Sequence, residues 1–188
     1  MGTISNSGSM NSKPGPLEGS WLLTPKVHAD SRGQFVESFQ KGVFAEQTGL
    51  SIDFIQDNEV VSEHGVVRGL HLQKAPHAQA KLIRVVQGQI NDVAVDLRAD
   101  SSTYGEWFGV ELSAENQIQL FLPKGFAHGY SVLSERAIVQ YKVDAPYNPQ
   151  AESGIRFDDP DLGIDWQVDN PKLSEKDQKL PFLKQLNP

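Results

Sequence analysis

From Trp21 onward, apolar side chains recur in short alternating runs: "GQFVESF", "IDFIQDNEVVSE", "KLIRVVQGQINDVAVDL", "WFGVELS", "NQIQLFLP" and "AIVQYKV". An apolar residue at every second position buries one face only of an extended strand, because successive strand side chains point to opposite sides. Turn-forming residues separate the runs at regular intervals, in "DSRG", "EHG", "QG", "RADSSTYG", "SAEN" and "PKG". Many short strands joined by tight turns predict an all-β, antiparallel sandwich or jelly roll. Short helices are predicted only over 41–50 and 173–186. No internal repeat and no second hydrophobic core is evident.

Residues 1–19, "MGTISNSGSMNSKPGPLEG", hold almost no bulky apolar side chain that burial would reward, so they are expected to be a flexible tail outside the fold. Residues 20–188 are then one domain, a reasonable size for a single core. The net charge of -7 argues against a partner with a phosphate backbone or an anionic membrane surface, both of which select basic proteins. The absence of cysteine excludes thiolate chemistry, disulfides and cysteine-ligated metals. No apolar run approaches the ~18 residues of a membrane span, and the polar N-terminus lacks the order of a secretory signal. A cytoplasmic protein without nucleic-acid or membrane partners is expected.

The sequence carries no phosphate-cradling glycine loop, dinucleotide fingerprint, serine-hydrolase elbow or H-E-x-x-H. What remains is histidine, lysine, arginine, tyrosine and carboxylate, concentrated in "VVRGLHLQ", "QAKLIRVVQG" and "PKGFAHGY". Taken alone, His71 and His128 read as hydrogen-bonded core or surface residues. A jelly-roll metal site usually reads H-x-H followed by a nearby Glu. Here Leu72 and Gln73 follow His71, no Glu occurs before Gly88, and Lys81 would oppose a cation, so no metal is expected. Arg68, Lys81 and Arg84 read blandly as solvated strand-edge charges. In an unbroken strand, moreover, Arg68 and His71 face opposite ways.

The stretches "DSRGQFVESF", "QDN", "VVRGLHLQ", "QAKLIRVVQGQINDVAVDLR", "FLPKGFAHGY", "QYKVDAPYNPQAESGI", "GIDW" and "LSEKD" run collinearly from about residue 28 to residue 177. Together they resemble the dTDP-4-dehydrorhamnose 3,5-epimerase family. The resemblance implies a cupin jelly roll with a few short helices, a homodimer, no metal or organic cofactor, and a dTDP-linked 4-keto-6-deoxy sugar as substrate. In such a sugar, C3 and C5 flank the C4 carbonyl, so loss of either proton gives an enolate. Inversion needs a base, an oxyanion stabiliser and an acid on the other face of the ring.

By resemblance, His71 matches the proton acceptor and Asp177 the carboxylate that orients it. Lys81 matches the cation at the C4 oxygen and Tyr141 the opposing proton donor. Arg32, Glu37, Gln56, Asn58, Arg68, His128, Glu152 and Lys176 match contacts to nucleotide or sugar, and Tyr147 matches the aromatic that stacks on thymine. Arg84 matches nothing and is left as structural. Leu72 stands where an aromatic commonly follows the catalytic histidine. The alternatives are an epimerase acting at C3 or C5 alone, a non-catalytic nucleotide-sugar binding cupin and, as an outsider, a metal-dependent oxygenase.

Overall fold

In the computed structural model, which describes residues 9–186, the alternating runs become two facing antiparallel sheets. The first sheet orders β1 (Met10–Pro14), β2 (Trp21–Pro25), β10 (Gln119–Leu122), β7 (Lys81–Gln87), β12 (Arg136–Val143) and β5 (Gln56–Glu63). The second orders β13 (Glu152–Gly154), β6 (Val67–Gln73), β11 (Phe126–Val132), β8 (Gln89–Asp96) and β9 (Trp107–Ser113). A separate hairpin pairs β3 (Val27–Asp30) with β4 (Gly33–Val36). This is the expected all-β jelly-roll sandwich.

Three apolar layers stabilise it. Between the sheets, Ile83 and Val85 pack with Ile90, Ala94, Phe126 and Val132. On the outer face of the second sheet, Leu70, Val93 and Val95 are covered by Ile155, Leu162 and Trp166 from the irregular C-terminal segment. Strand β8 is therefore buried on both faces from Ile90 through Asp96, including the polar side chains Asn91, Asp92 and Asp96. On the outer face of the first sheet, helix α1 (Lys41–Thr48) lays Val43 and Phe44 against Leu23, Leu82 and Phe121. Complete burial of one such side chain contributes about 1.5–3 kcal/mol. Gln40 caps α1 by accepting from the Val43 N–H at 2.7 Å, and Gly49 ends it in the left-handed conformation.

Two expectations are corrected. Residues 10–14, assigned to a flexible tail, form edge strand β1 in register with β2, and Met10 and Leu17 are buried. Backbone pairing and two apolar anchors suffice where little side-chain alternation exists; residues 1–8 of that tail lie outside the described residues. The helix expected over 173–186 is two 3₁₀ turns, Asp177–Lys179 and Leu183–Gln185. Pro181 lies between them, and its missing N–H and fixed φ oppose a continuous helix.

One irregularity positions the site. Between β11 and β6, His128 pairs with His71 but Tyr130 pairs with Arg68. Two steps on β11 thus match three on β6, so β6 carries one extra residue, a β-bulge that reverses the alternation. Arg68 and His71, on opposite faces of an ideal strand, consequently line one cavity. The bulge brings backbone against backbone: a Cβ on Gly69, whose φ is +122°, would meet the Gly129 Cα at 2.6 Å. Gly69→Ala should therefore cost about 2–4 kcal/mol in urea unfolding. An unchanged unfolding midpoint would show that the close approach is not needed.

Candidate active site

The cavity opens between the sheets and measures about 270 Å³. Its wall includes Arg68, His71, Lys81, His128, Tyr141 and Glu152, and Tyr147 stands at its edge. Strands of the second sheet supply the two histidines, which are direct cross-strand neighbours. The facing sheet supplies Lys81 from the start of β7 and Tyr141 from β12.

Each histidine is held by a carboxylate. His71 Nε2 lies 2.6 Å from Asp177 Oδ1, while Asp177 Oδ2 accepts from the Gly69 N–H at 3.4 Å. Asp177 is only 4% exposed, a buried partner of β6 although it lies in the polar stretch "LSEKD". Burial alone would raise the Asp177 pKa. The hydrogen bond and charge of His71, with the Gly69 and Ser174 hydrogen bonds, reverse this and hold it below 3.8. His128 Nε2 lies 2.9 and 3.0 Å from the two oxygens of Asp92.

Lys81, 8% exposed, donates to the His71 backbone carbonyl at 3.2 Å. Burial lowers its pKa to about 8, against the opposing pull of Asp92 and Glu152. Burial raises the Tyr141 phenol above its ordinary value, with Arg68 acting in the other direction, so Tyr141 remains a proton donor at neutral pH. Arg68 Nε donates to Ser62 Oγ at 3.0 Å, and Ser62 lies 3.3 Å from the Tyr130 hydroxyl. At the rim, Glu152 Oε2 accepts from the Tyr147 hydroxyl at 2.5 Å and pairs with Lys176 at 2.6 Å. Among the described residues, no group of three or more His, Asp or Glu side chains converges on a metal-sized site.

A family model described as dTDP-4-dehydrorhamnose 3,5-epimerase matches residues 14–185. The chain belongs to this family. The dTDP-4-dehydrorhamnose 3,5-epimerase of Methanothermobacter thermautotrophicus is 50% identical over 172 residues, covering 90% of this chain and 92% of the relative. A crystal structure of the Elizabethkingia anophelis dTDP-4-dehydrorhamnose 3,5-epimerase, 48% identical, superposes with a TM-score of 0.90 over 95% of this chain and 99% of that one. A Legionella pneumophila dTDP-6-deoxy-D-glucose-3,5-epimerase in complex with dTDP-4-keto-L-rhamnose, 42% identical, gives 0.91 over 95% of each chain.

Of the family-matched positions, Arg68, His71, Lys81, His128, Tyr141, Tyr147 and Glu152 line the cavity, with Asp177 and Lys176 directly behind or beside them. Arg32 and Glu37 do not join them. Arg32 sits at the tip of the β3–β4 hairpin, its side chain 87% exposed and paired with Asp30, and Glu37 follows β4 in solvent. Gln56 and Asn58 share the face of β5 that carries Val60 and Ser62, hydrogen bonded to each other at 2.9 Å, but neither lines the cavity. Arg84 faces a separate recess on the outside of the first sheet, beside Gln140 and Lys142. Reasoning from sequence overlooked Asp92, Tyr130 and Ser62. The signal for Asp92 was a charged residue inside the apolar run "INDVAVDL".

The depressed Asp177 pKa fixes a stability trend. Its contribution is complete above the ordinary 3.8 and is lost as pH falls through the lower folded-state value. Asp177→Asn should be less stable than the unmutated chain at about pH 6, with the gap narrowing toward about pH 2 in urea titrations. A gap that stays constant with pH would mean that the pair does not depend on an ionised carboxylate.

Proposed function

We propose that this chain converts dTDP-4-dehydro-6-deoxy-D-glucose to dTDP-4-dehydro-L-rhamnose by inverting C3 and C5, a step of dTDP-L-rhamnose synthesis. The observation that carries this reading is a single cavity in which His71 faces Tyr141 from the opposite sheet, with Lys81 beside them. Family membership at about half identity over nine-tenths of the chain supports the same substrate class.

The residues suit enolate chemistry in defined roles. With Nε2–H donated to Asp177, the neutral His71 ring keeps its lone pair on Nδ1, and this atom takes the proton next to the ketone. The C–H electrons move into the ring as an enolate, whose oxygen the Lys81 ammonium stabilises. Loss of such a contact typically costs ~10²- to 10³-fold in rate. The Tyr141 phenol returns a proton from the other side, and exchange with water resets both groups. Only protons move, so no redox cofactor takes part, and Lys81 fills the oxyanion role that a metal serves elsewhere. At the rim, Tyr147 offers a ring for thymine, positioned by Glu152 and Lys176, while Arg68 offers a guanidinium to the diphosphate.

The same reading places the enzyme in the cytoplasm, where nucleotide sugars are assembled from nucleoside triphosphates, as a homodimer. No helix among the described residues is long and apolar enough to cross a membrane. The dimer accounts for Arg32 and Glu37: the exposed β3–β4 hairpin, with Phe35 67% exposed, stands away from its own cavity and is suited to reach that of a second copy.

Incubation with the 4-keto-6-deoxyglucose nucleotide in deuterated water containing EDTA should place deuterium at C3 and C5 by NMR. His71→Ala should reduce this by about 10³-fold while still binding dTDP. Label at one carbon alone would identify a single-position epimerase, and binding without exchange in the unmutated protein a nucleotide-sugar binding module. Mixing and refolding Arg32→Ala with His71→Ala together should restore about a quarter of the unmutated rate, since each mixed dimer regains one intact site. No recovery would confine each site to one chain.

A further inference from the structure

The proton transfers above leave Asp92 unused, although it is wholly buried directly behind His128 of the cavity wall. Its carboxylate is 0% exposed on β8, on the face that also carries Ile90 and Ala94. Both oxygens meet His128 Nε2, and among the described residues no other hydrogen bond reaches them. A carboxylate in an apolar setting is strongly disfavoured unless hydrogen bonds and nearby cations balance it.

The available cation is Lys81. Among the described residues no carboxylate lies within ion-pair reach of its Nζ, whose hydrogen bond goes to a backbone carbonyl, so it is a buried charge without a contacting counterion. The groups around it come from every adjoining element: Arg68 and His71 on β6, His128 and Tyr130 on β11, Asp92 on β8, Tyr141 on β12 and Glu152 on β13. Asp92 and Glu152 are the anions that act on it. Glu152 is already matched by Lys176 at 2.6 Å, which leaves Asp92 as the buried counter-charge.

We propose that Asp92 is a positioning residue of this site: its carboxylate fixes the ring of His128 and supplies the negative field that favours the Lys81 ammonium in the cavity wall. With Nε2 held between both oxygens of Asp92, the His128 ring is fixed in one orientation, so one carboxylate sets a ring position and a charge together. A buried base held by a fixed countercharge, rather than by a direct ion pair, stays free to meet a ligand oxygen.

The kinetic arm of this proposal rests on the epimerase reading; the spectroscopic arm does not. Asp92→Asn keeps the shape and an acceptor for His128 Nε2 but removes the charge, and Asp92→Glu retains the charge. Titration of Lys81 is followed by the lysine ¹³Cε resonance that disappears in Lys81→Met. The unmutated midpoint near 8 should fall by about one unit in Asp92→Asn and stay within a few tenths of a unit in Asp92→Glu. The alkaline limb of kcat/KM should move with it. The deficit of Asp92→Asn should then be about sixfold larger at about pH 8.5 than at about pH 6.5, on top of any pH-independent loss from a loosened His128. An unchanged Lys81 midpoint in Asp92→Asn overturns the proposal. Failure of both variants to fold also overturns it, by making Asp92 a residue of the core alone. Absence of epimerisation by the unmutated protein would instead remove the functional reading and leave the titration to decide this one.

Discussion

The contact of two backbones at Gly69 and Gly129 is the constraint from which the site follows. Neither position has room for a Cβ, and the extra residue of β6 lies at this contact. The bulge turns Arg68 toward the cavity that His71 lines, which regular alternation forbids. It also directs the Gly69 N–H to Asp177, so the residue that breaks the ladder donates its freed hydrogen bond to the carboxylate behind the histidine. Residues that an ordinary pleat would separate are gathered by one local departure from it.

That gathering is energetically unfavourable on its own account. Lys81, His128, Asp92 and Asp177 are nearly or wholly buried, and each charged form gives up water. The apolar layers on both sides of the second sheet and beneath α1 offset this, and no described buried side-chain nitrogen or oxygen lacks a partner. The sandwich thus tolerates a polar patch in its interior because the layers around it are complete, and the patch is where consistency with a purely apolar core breaks down.

Strand content was legible because alternation has a single structural meaning. The edges were less so. β1 reads as a polar tail, since its stability comes from backbone pairing with β2 and the burial of Met10, neither of which has a periodic signature. The β3–β4 hairpin alternates like a core strand, yet Val27 and Phe35 face solvent in this chain. The site was legible mainly through family resemblance. Periodicity put Arg68 and His71 on opposite faces, and a bulge is not encoded in hydrophobic spacing. Spacing alone does not pair Asp177 with His71, since the two lie 106 residues apart in sequence.

The irregular C-terminal segment explains how so distant a carboxylate is placed so closely. Its backbone is anchored by side chains of the sheet beneath: Trp107 donates to the Leu162 carbonyl, Ser131 to the Trp166 carbonyl and Asn91 to the Asp165 carbonyl. Such bonds satisfy a segment that has no ladder of its own. The direct neighbours of His71 across its two flanking strands are His128 and Gly154, so neither strand supplies the carboxylate. A Cβ on Gly154 would collide with the Leu70 carbonyl oxygen and approach Leu180 Cδ1 to 3.0 Å, so the glycine admits β6 and Leu180 together. Leu180 directly follows the turn that carries Asp177, and its seating draws that turn onto β6. The cover that completes the second sheet's apolar layer is therefore also the element that aims the base, and the two roles cannot be separated by any change that lifts this segment from the sheet.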